Sequence, residues 1–385
     1  MLLGLAIAVG LILAMQVPLL HQRATSHSAL STLTGHRVAA PLAWPVIGNA
    51  AVDIPAYGVL VRHHDAAVPI ASLTKMMTAY VVLRHLPLTL GEIGPCVTVT
   101  ANDLLTYKTD QLKGESRAAV AVGEQLCEFD LLSGLLVHSA ANYADLLASM
   151  VSSSPLDFVA MMNATAGQLG LRYTHYADSS GVSDASVSTA GDQAQLAVLL
   201  MKSPLVRAIV DQTSVTLPVA GVVSSFTPFV GVNNVVGVKS GRTSAAGGCD
   251  VMAMTFQQGG RTHIIYAAVL GQRGGDLLGP AGLAALALST SALDQRVEQS
   301  FRAGSTFGWI GWGSRVVPFG FATTSQIWSW QTEDSNPFTL DMKTFTRTIR
   351  RGDVVGWLNV PGRSHRLKLI AQRTVSPPTL WQRVL

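Results

Sequence analysis

Two short motifs contain the residue types that acyl-transfer chemistry requires. Ser72 and Lys75 lie three residues apart, and Lys239, Ser240 and Gly241 follow one another later in the chain. A serine hydroxyl becomes a nucleophile when a neighbouring amine can remove its proton, as a lysine with a lowered pKa can. A second lysine beside a hydroxyl and a glycine can hold a carboxylate, because glycine lets a substrate approach the strand closely. The two motifs together predict a serine-based acyl-transfer site.

The elements around the first motif would direct its two side chains into one cleft. Residues 73–86 are apolar on nearly every side, which predicts a buried helix with Ser72 at its positive N-terminus. Residues three apart share one face of a helix, so Ser72 and Lys75 point the same way. The alternative is a solvated helix face, which the apolar residues 76–83 disfavour. Backbone N–H groups of Ser72 and Arg242 form a candidate oxyanion hole.

The periodicity along the chain predicts an α+β fold. Helical patterns are followed by three consecutive strand-like runs with glycine-rich turns, and then by a closing helix. The helical patterns span 130–137, 142–150, 157–169 and 189–201, the strands span 234–240, 249–257 and 262–270, and the last helix spans 281–292. This order is typical of an α+β fold with antiparallel strands and not of a doubly wound sheet.

Composition divides the chain into four segments. Residues 1–20 are apolar and uncharged, which predicts a signal peptide or membrane anchor and an extracytoplasmic location for the rest. Residues 21–43 are polar and predict a tether, and the main α+β domain spans 44–295. Residues 301–385 contain six of the seven tryptophans in short strand-like runs. They predict a small β-rich domain whose tryptophans mainly pack in its core.

Charge and cysteine content argue against two classes of function. The net charge is only +4 over 385 residues, and no basic tract predicts nucleic-acid binding. No Cys/His cluster has zinc spacing, and we expect neither a metal nor another cofactor.

Cys96 and Cys127 lie in strand-like stretches that lead into helices. Pairing of these strands would bring the two cysteines close enough for a disulfide and leave Cys249 as a buried free thiol.

The motifs and their surroundings resemble one enzyme family. The relevant segments are PIASLTKMMT at 69–78, FVAMMN at 158–163, HYADSSG at 175–181 and VGVKSGRTSAAGGC at 236–249. In this order they resemble the serine D-alanyl-D-alanine carboxypeptidases, the low-molecular-mass penicillin-binding proteins, over about residues 44–293. The resemblance implies a DD-peptidase/β-lactamase-like fold, in which an antiparallel sheet flanked by helices meets a helical subregion at the active site.

The same resemblance implies roles for individual residues. Ser72 would be the acylated nucleophile and Lys75 its base, while Lys239 and Ser240, with Gly241 and Arg242 beside them, would bind the substrate carboxylate. The reaction would remove the terminal D-alanine from peptidoglycan stem peptides. β-Lactams would acylate the same serine.

One family motif is incomplete in this chain. The family places Ser-x-Asn between two central helices, and Ser139 matches its serine, where it would relay a proton. The asparagine position holds Ala141, and Asn142 follows one residue late. Loss of the amide contact would cost on the order of 10²-fold in rate, unless Asn142 turns into the cleft as a substrate-binding residue.

Three functions remain open at this point. A carboxypeptidase anchored at the membrane through residues 1–20 is the favoured one. A β-lactamase is disfavoured because no loop offers a convincing glutamate for rapid deacylation and because a further domain follows the main one. A non-catalytic or weakly active wall-binding protein with this fold is supported only by Ala141.

Overall fold

The computed structural model describes residues 23–28, 41–330, 338–360 and 366–378. The predicted signal peptide or membrane anchor at residues 1–20 lies outside these ranges. Within them, no single helix has the length and apolar character needed to cross a membrane. One pair of helices, bent by 113° at a short break, meets that requirement only when its two members are taken together.

The described residues form eight α-helices and nineteen β-strands. The helices are α1 (Thr74–His85), α2 (Ala101–Lys113), α3 (Glu128–Leu136), α4 (Ala141–Val151), α5 (Pro155–Leu169), α6 (Ala190–Leu200), α7 (Pro204–Val210) and α8 (Leu278–Asp294). The strands are β1 (Thr25–Ser28), β2 (Asn49–Ile54), β3 (Val59–His63), β4 (Val68–Pro69), β5 (Cys96–Thr98), β6 (Gln125–Cys127), β7 (Val187–Ser188), β8 (Ser214–Leu217), β9 (Gly221–Ser224), β10 (Val235–Thr243), β11 (Gly247–Gln258), β12 (Arg261–Gln272), β13 (Arg296–Phe301), β14 (Thr306–Trp312), β15 (Arg315–Phe321), β16 (Ser325–Trp330), β17 (Thr339–Met342), β18 (Val354–Asn359) and β19 (Leu367–Ala371).

Residues 41–294 form one compact unit around a five-stranded antiparallel sheet. The strand order is β10-β11-β12-β2-β3, so β10 is an edge strand. Helix α6 packs on β2 and β12, and α8 packs on β11 and β12. Residues along β11 are buried almost without interruption because helices cover both faces of the sheet. The predicted α+β fold, with an antiparallel sheet flanked by helices, is confirmed.

Helix α1 is the centre of the helical part of this unit. It contacts α3, α4, α5 and α6, and eight of its residues from Thr74 to Val82 are buried. This burial agrees with the apolar pattern of residues 73–86. The boundary differs from the prediction, because Ala71–Leu73 form a 3-10 turn before α1 begins. Ser72 therefore lies in a tight turn ahead of the helix and not on its first α-helical residue.

The second compact unit comprises the described residues before 41 and after 294. Its six-stranded antiparallel sheet has the order β1-β14-β15-β19-β18-β17, and β13 pairs with β16 in a separate ribbon. β1 lies within the segment predicted as a tether, and its four residues, Thr25–Ser28, pair with β14. Buried Trp312 and Trp330 fit the predicted packing role, whereas Trp309 is 48% exposed.

A disulfide joins two short strands of the larger unit. Cys96 in β5 and Cys127 in β6 are directly opposite each other and are bonded, as the sequence suggested. Cys249 is a buried free thiol. The bond links residues 31 positions apart, and it therefore restricts the unfolded chain over the whole intervening segment.

Removal of this disulfide should destabilise the protein. For a loop of roughly 30 residues, the chain-entropy model gives a loss of about 3.7 kcal/mol in the free energy of unfolding for the double variant Cys96→Ser/Cys127→Ser. Urea denaturation followed by far-ultraviolet circular dichroism measures this difference. Reductant should lower the stability of the wild type and leave that of the double variant unchanged. Equal stability of the two proteins without reductant would contradict the prediction.

Candidate active site

The turn before α1 brings the first motif together. Lys75 donates from Nζ to Ser72 Oγ at 2.8 Å and to the backbone oxygen of Ser180 at 2.7 Å. Ala71 has a φ of 49°, a left-handed conformation that is unusual for a residue with a side chain. This conformation helps to direct the following serine hydroxyl back toward the lysine. The predicted Ser72–Lys75 contact is present.

Burial lowers the pKa of Lys75 and so favours its neutral form. Its side chain is 1% exposed, and desolvation lowers its pKa from the usual value to about 8. The negative charges of Asp178, Glu115, Asp145 and Asp110 oppose this effect, with Asp178 contributing most. An ordinary lysine is almost fully protonated at neutral pH, whereas Lys75 has an accessible neutral fraction. A neutral amine 2.8 Å from a hydroxyl can accept its proton.

The loop that follows α5 forms a hydrogen bond with Lys75 through a backbone carbonyl. Asp178 accepts hydrogen bonds from the backbone N–H groups of Gly181 and Ser183, both at 2.7 Å, and thereby holds the loop closed. The carbonyl of Ser180 in this loop receives the Lys75 ammonium. Gly181 has a φ of 80°, and a Cβ there would lie 1.9 Å from the backbone oxygen of Ala71. The glycine of HYADSSG is therefore required by both conformation and space.

Edge strand β10 forms one wall of the cleft. Ser240, Gly241 and Arg242 line it together with Ser72. A Cβ on Gly241 would lie 2.7 Å from the backbone nitrogen of Ser72, so only glycine lets the strand pass this closely. The Ser240 hydroxyl donates to the backbone oxygen of Phe226 at 2.8 Å. The Arg242 side chain is exposed at the cleft.

Lys239 lies beneath this wall and does not line the cleft. It is fully buried and donates from Nζ to the backbone oxygen of Ser240 at 2.7 Å. Burial lowers its pKa well below the usual value, the positive charge of Lys75 adds to this effect, and the negative charge of Asp250 opposes it. Lys239 supports the strand through this hydrogen bond, and Asp250 favours the charged form that could act on a bound anion.

Asp250 is a charged residue of this region that the sequence motifs did not identify. It lies directly across from Ser240 on β11 and is fully buried, and within the described part of the chain neither carboxylate oxygen has a hydrogen-bond partner. Burial raises its pKa well above the usual value, and Lys239 counteracts that rise. A lone aspartate within the apolar run of residues 249–256 was the available sequence signal. Its position gives the buried ammonium an opposite charge on the neighbouring strand.

The opposite wall contains the incomplete motif. Ser139 lines the cleft and has a φ of 60°, while Ala141 begins α4 and donates its N–H to the backbone oxygen of Ser116 at 2.8 Å. The prediction that Asn142 reaches the cleft is wrong. Its side-chain oxygen accepts from the N–H of Ala118 at 3.1 Å, and its nitrogen donates to that residue's oxygen at 2.9 Å. Both the oxygen and the nitrogen of the Asn142 amide are therefore hydrogen-bonded to Ala118 and do not face a substrate.

The cleft is small and mostly polar. Its walls come from six separate parts of the chain, namely the turn before α1, the segment after α2, the loop before α4, the segment after β9, strand β10 and the start of α8. The lining residues are Ser72, Gly114, Glu115, Ser116, Ser139, Phe226, Ser240, Gly241, Arg242 and Leu278. Glu115 is a cleft residue that the sequence motifs missed. Among the described residues, no group of three His, Cys, Asp or Glu side chains is arranged to hold a metal ion.

Curated relatives share parts of this chain. A D-alanyl-D-alanine endopeptidase from Pseudomonas aeruginosa is 37% identical over 144 residues, which cover 37% of this chain and 43% of the relative. A D-alanyl-D-alanine endopeptidase from Escherichia coli is 30% identical over 257 residues, covering 63% and 76% respectively. The chain thus spans only about two fifths of the length of the first of these relatives.

A solved structure and a family model agree with the observed fold. The structure of the D-alanyl-D-alanine carboxypeptidase DacD from Francisella tularensis superimposes with a TM-score of 0.63. That match covers 90% of this chain and 98% of the other at 18% identity, and it supports the fold alone. The model of the D-alanyl-D-alanine carboxypeptidase family matches residues 51–273, more than half of the chain. The chain therefore belongs to the D-alanyl-D-alanine carboxypeptidase family.

Proposed function

We propose that this protein is a serine-type D-Ala-D-Ala carboxypeptidase that removes the terminal D-alanine from peptidoglycan stem peptides. The observation that carries the proposal is the 2.8 Å contact between Lys75 Nζ and Ser72 Oγ at the base of the cleft. Ser139 and Arg242 face the same space. A nucleophile, a base with a lowered pKa and a carboxylate-binding wall are the parts that acyl transfer from a peptide needs.

The acylation step uses these groups in sequence. Neutral Lys75 takes the proton of Ser72, and the serine oxygen attacks the carbonyl carbon of the penultimate residue. The oxyanion that forms would accept hydrogen bonds from the backbone N–H groups of Ser72 and Arg242. The C–N bond then breaks, and the Ser139 hydroxyl relays the lysine's proton to the departing amine. This leaves an ester on Ser72, which water hydrolyses to regenerate the enzyme.

The charge distribution of β10 suits a substrate with a terminal carboxylate. The Arg242 guanidinium is available at the cleft, and the Lys239 ammonium adds positive charge from below. A guanidinium can bind a carboxylate through two parallel hydrogen bonds. A β-lactam bears a carboxylate in a similar position, so we expect it to acylate Ser72 as well.

The proposed substrate also requires an extracytoplasmic location. The Cys96–Cys127 disulfide supports export because such bonds persist in oxidising compartments. Residues 1–20 would serve as the signal peptide or membrane anchor, and peptidoglycan would be the partner outside the membrane.

A second candidate function uses the same chemistry. Two relatives of this chain are named D-alanyl-D-alanine endopeptidases. An endopeptidase would cleave the D-alanyl bond of a cross-link between two stem peptides, so its leaving group is a larger amine. Comparing a linear pentapeptide with a cross-linked dimer as substrates distinguishes the two activities.

A fluorescent penicillin tests the proposed nucleophile. We expect a stable covalent label on the wild type, located at Ser72 by peptide mapping and absent from Ser72→Ala. Ser116→Ala is the matched control, since this serine lines the same cleft without a lysine beside it, and it should retain the label. Rapid loss of the label would indicate a β-lactamase instead. Absence of labelling, together with absence of D-alanine release, would contradict the proposal and favour a wall-binding protein.

The rate of acylation should depend on the protonation of Lys75. Because the base must be neutral and its pKa is lowered to about 8, the rate should rise by up to tenfold per pH unit below pH 8 and level off above it. Stopped-flow measurement of penicillin acylation between pH 5 and 9 records this profile. Lys75→Arg keeps the positive charge but cannot deprotonate, so it should acylate negligibly throughout. A flat profile in the wild type would argue against lysine as the base.

Restoring the missing amide should improve catalysis. Ala141→Asn introduces the residue that the family motif has at this position. We expect kcat/KM for a D-Ala-D-Ala peptide to rise by about 10²-fold, the lower end of the range associated with one transition-state hydrogen-bond donor. Asn142→Ala is the comparison, because its amide binds Ala118 and its loss should reduce stability without a specific effect on kcat. No gain in kcat/KM from a folded Ala141→Asn protein would show that position 141 does not limit the reaction.

A further inference from the structure

Glu115 occupies a fixed position in the cleft while its carboxylate stays free. Helix α2 ends at Lys113 and is capped by Gly114, and the Glu115 N–H donates to the backbone oxygen of Asp110 at 2.9 Å. Arg117 donates from Nη1 to the backbone oxygen of Glu115, also at 2.9 Å. The side chain lines the same space as Ser72. Among the described residues, no side chain or backbone group forms a hydrogen bond or ion pair with its carboxylate.

The other carboxylates near Lys75 do not share this property. Both oxygens of Asp178 accept hydrogen bonds from the loop that they hold, and Asp145 accepts one from the Ser179 hydroxyl at 2.7 Å. Asp110 does not line the cleft. Of the four acidic residues whose charge acts on Lys75, Glu115 is thus the one that both faces the cleft and lacks a partner.

The charge of Glu115 gives no evident benefit to the proposed base. Its field raises the pKa of Lys75 and so reduces the neutral fraction that catalysis needs. A free carboxylate that opposes catalysis is better explained by a contact with the substrate. The cleft presents this one anion on the wall after α2 and the Arg242 cation on β10. These charges complement a peptide that carries an ammonium group as well as a terminal carboxylate.

We propose that Glu115 is a specificity-determining residue that pairs with an ammonium group on the peptide bound in the cleft. This inference rests on the proposed function, because it concerns the substrate of that same site. The ammonium can belong to a side chain of the peptide that acylates Ser72, or to an amine acceptor that binds as the ammonium and gives one proton to neutral Lys75 before it attacks the acyl-enzyme; that proton then passes to the departing Ser72 oxygen. Both sources present the same charge and hydrogen-bond donors to the carboxylate.

Two matched peptides test the pairing. Both end in D-Ala-D-Ala and carry lysine at the third position from the C-terminus; one has a free side-chain amine, and in the other that amine is acetylated. The wild type should prefer the free amine by about 5- to 20-fold in kcat/KM, as expected for one partly exposed charge pair with hydrogen bonds. Glu115→Gln should abolish this preference, and Glu115→Asp should retain part of it. Glu298→Gln, the same change at an exposed position on β13, should behave as the wild type.

The ratio of the kcat/KM values for the two peptides separates an effect of Glu115 on substrate binding from its effect on the pKa of Lys75. Removal of the Glu115 charge alters the base equally for both peptides, so it cancels in that ratio. A second arm adds glycine as an amine acceptor and measures how acyl-enzyme partitions between hydrolysis and aminolysis. If Glu115→Gln changes this partition but leaves the peptide ratio unchanged, the ammonium that pairs with Glu115 belongs to the amine acceptor. An unchanged peptide ratio together with unchanged partition would overturn the inference.

The inference can be tested even if the proposed activity fails. Should the wild type cleave neither peptide, the proposed function is wrong, and binding becomes the readout. Isothermal titration of both peptides into Ser72→Ala, with and without Glu115→Gln, should show tighter binding of the free amine only when Glu115 is present. Equal affinities for the two peptides in Ser72→Ala would then overturn the role of Glu115.

Discussion

The burial of the Lys75 ammonium is the constraint on which the rest of this site depends. Removing a charged amine from water costs several kcal/mol unless other groups compensate for the lost hydration. Here the compensation comes from distant parts of the chain, because the Ser180 carbonyl accepts a hydrogen bond and Asp178 supplies negative charge nearby. Lys239 repeats the arrangement with the Ser240 carbonyl. The remaining deficit in hydration is what lowers the pKa of Lys75 and makes a lysine usable as a base.

Two glycines allow the loop and the strand that carry these compensating groups to come close to Ser72. Gly181 lies against the backbone of Ala71, and Gly241 lies against that of Ser72, so the loop and the edge strand approach Ser72 from two sides. A side chain at either position would clash with that backbone and push its segment away. The spacing around Ser72 is therefore determined by backbone contacts as much as by the side chains of the proposed site.

The local parts of the site could be predicted from sequence, and the parts that depend on distant pairing could not. Ser72 and Lys75 are three residues apart, so the local geometry of a single turn brings them together. The orientation of Asn142 depends on Ala118, which lies 24 residues earlier, and no motif indicates that contact. Glu115 reaches the cleft because of where α2 ends relative to β10. The same reason explains why the sequence does not indicate β1, which forms only against a partner, β14, from the far end of the chain.

Strand β1 has a consequence for the order in which the chain acquires its structure. Thr25 pairs with Gly311, so during synthesis β1 cannot pair until β14 emerges roughly 280 residues later. The compact unit of residues 41–294 lies between them, and the N–H of Ala43 donates to the Ser291 hydroxyl, which brings its two ends together. Folding of the inserted unit thus shortens the loop that β1 must close. The six-stranded sheet is completed last, and until then β14 exposes an unpaired edge that can recruit another chain.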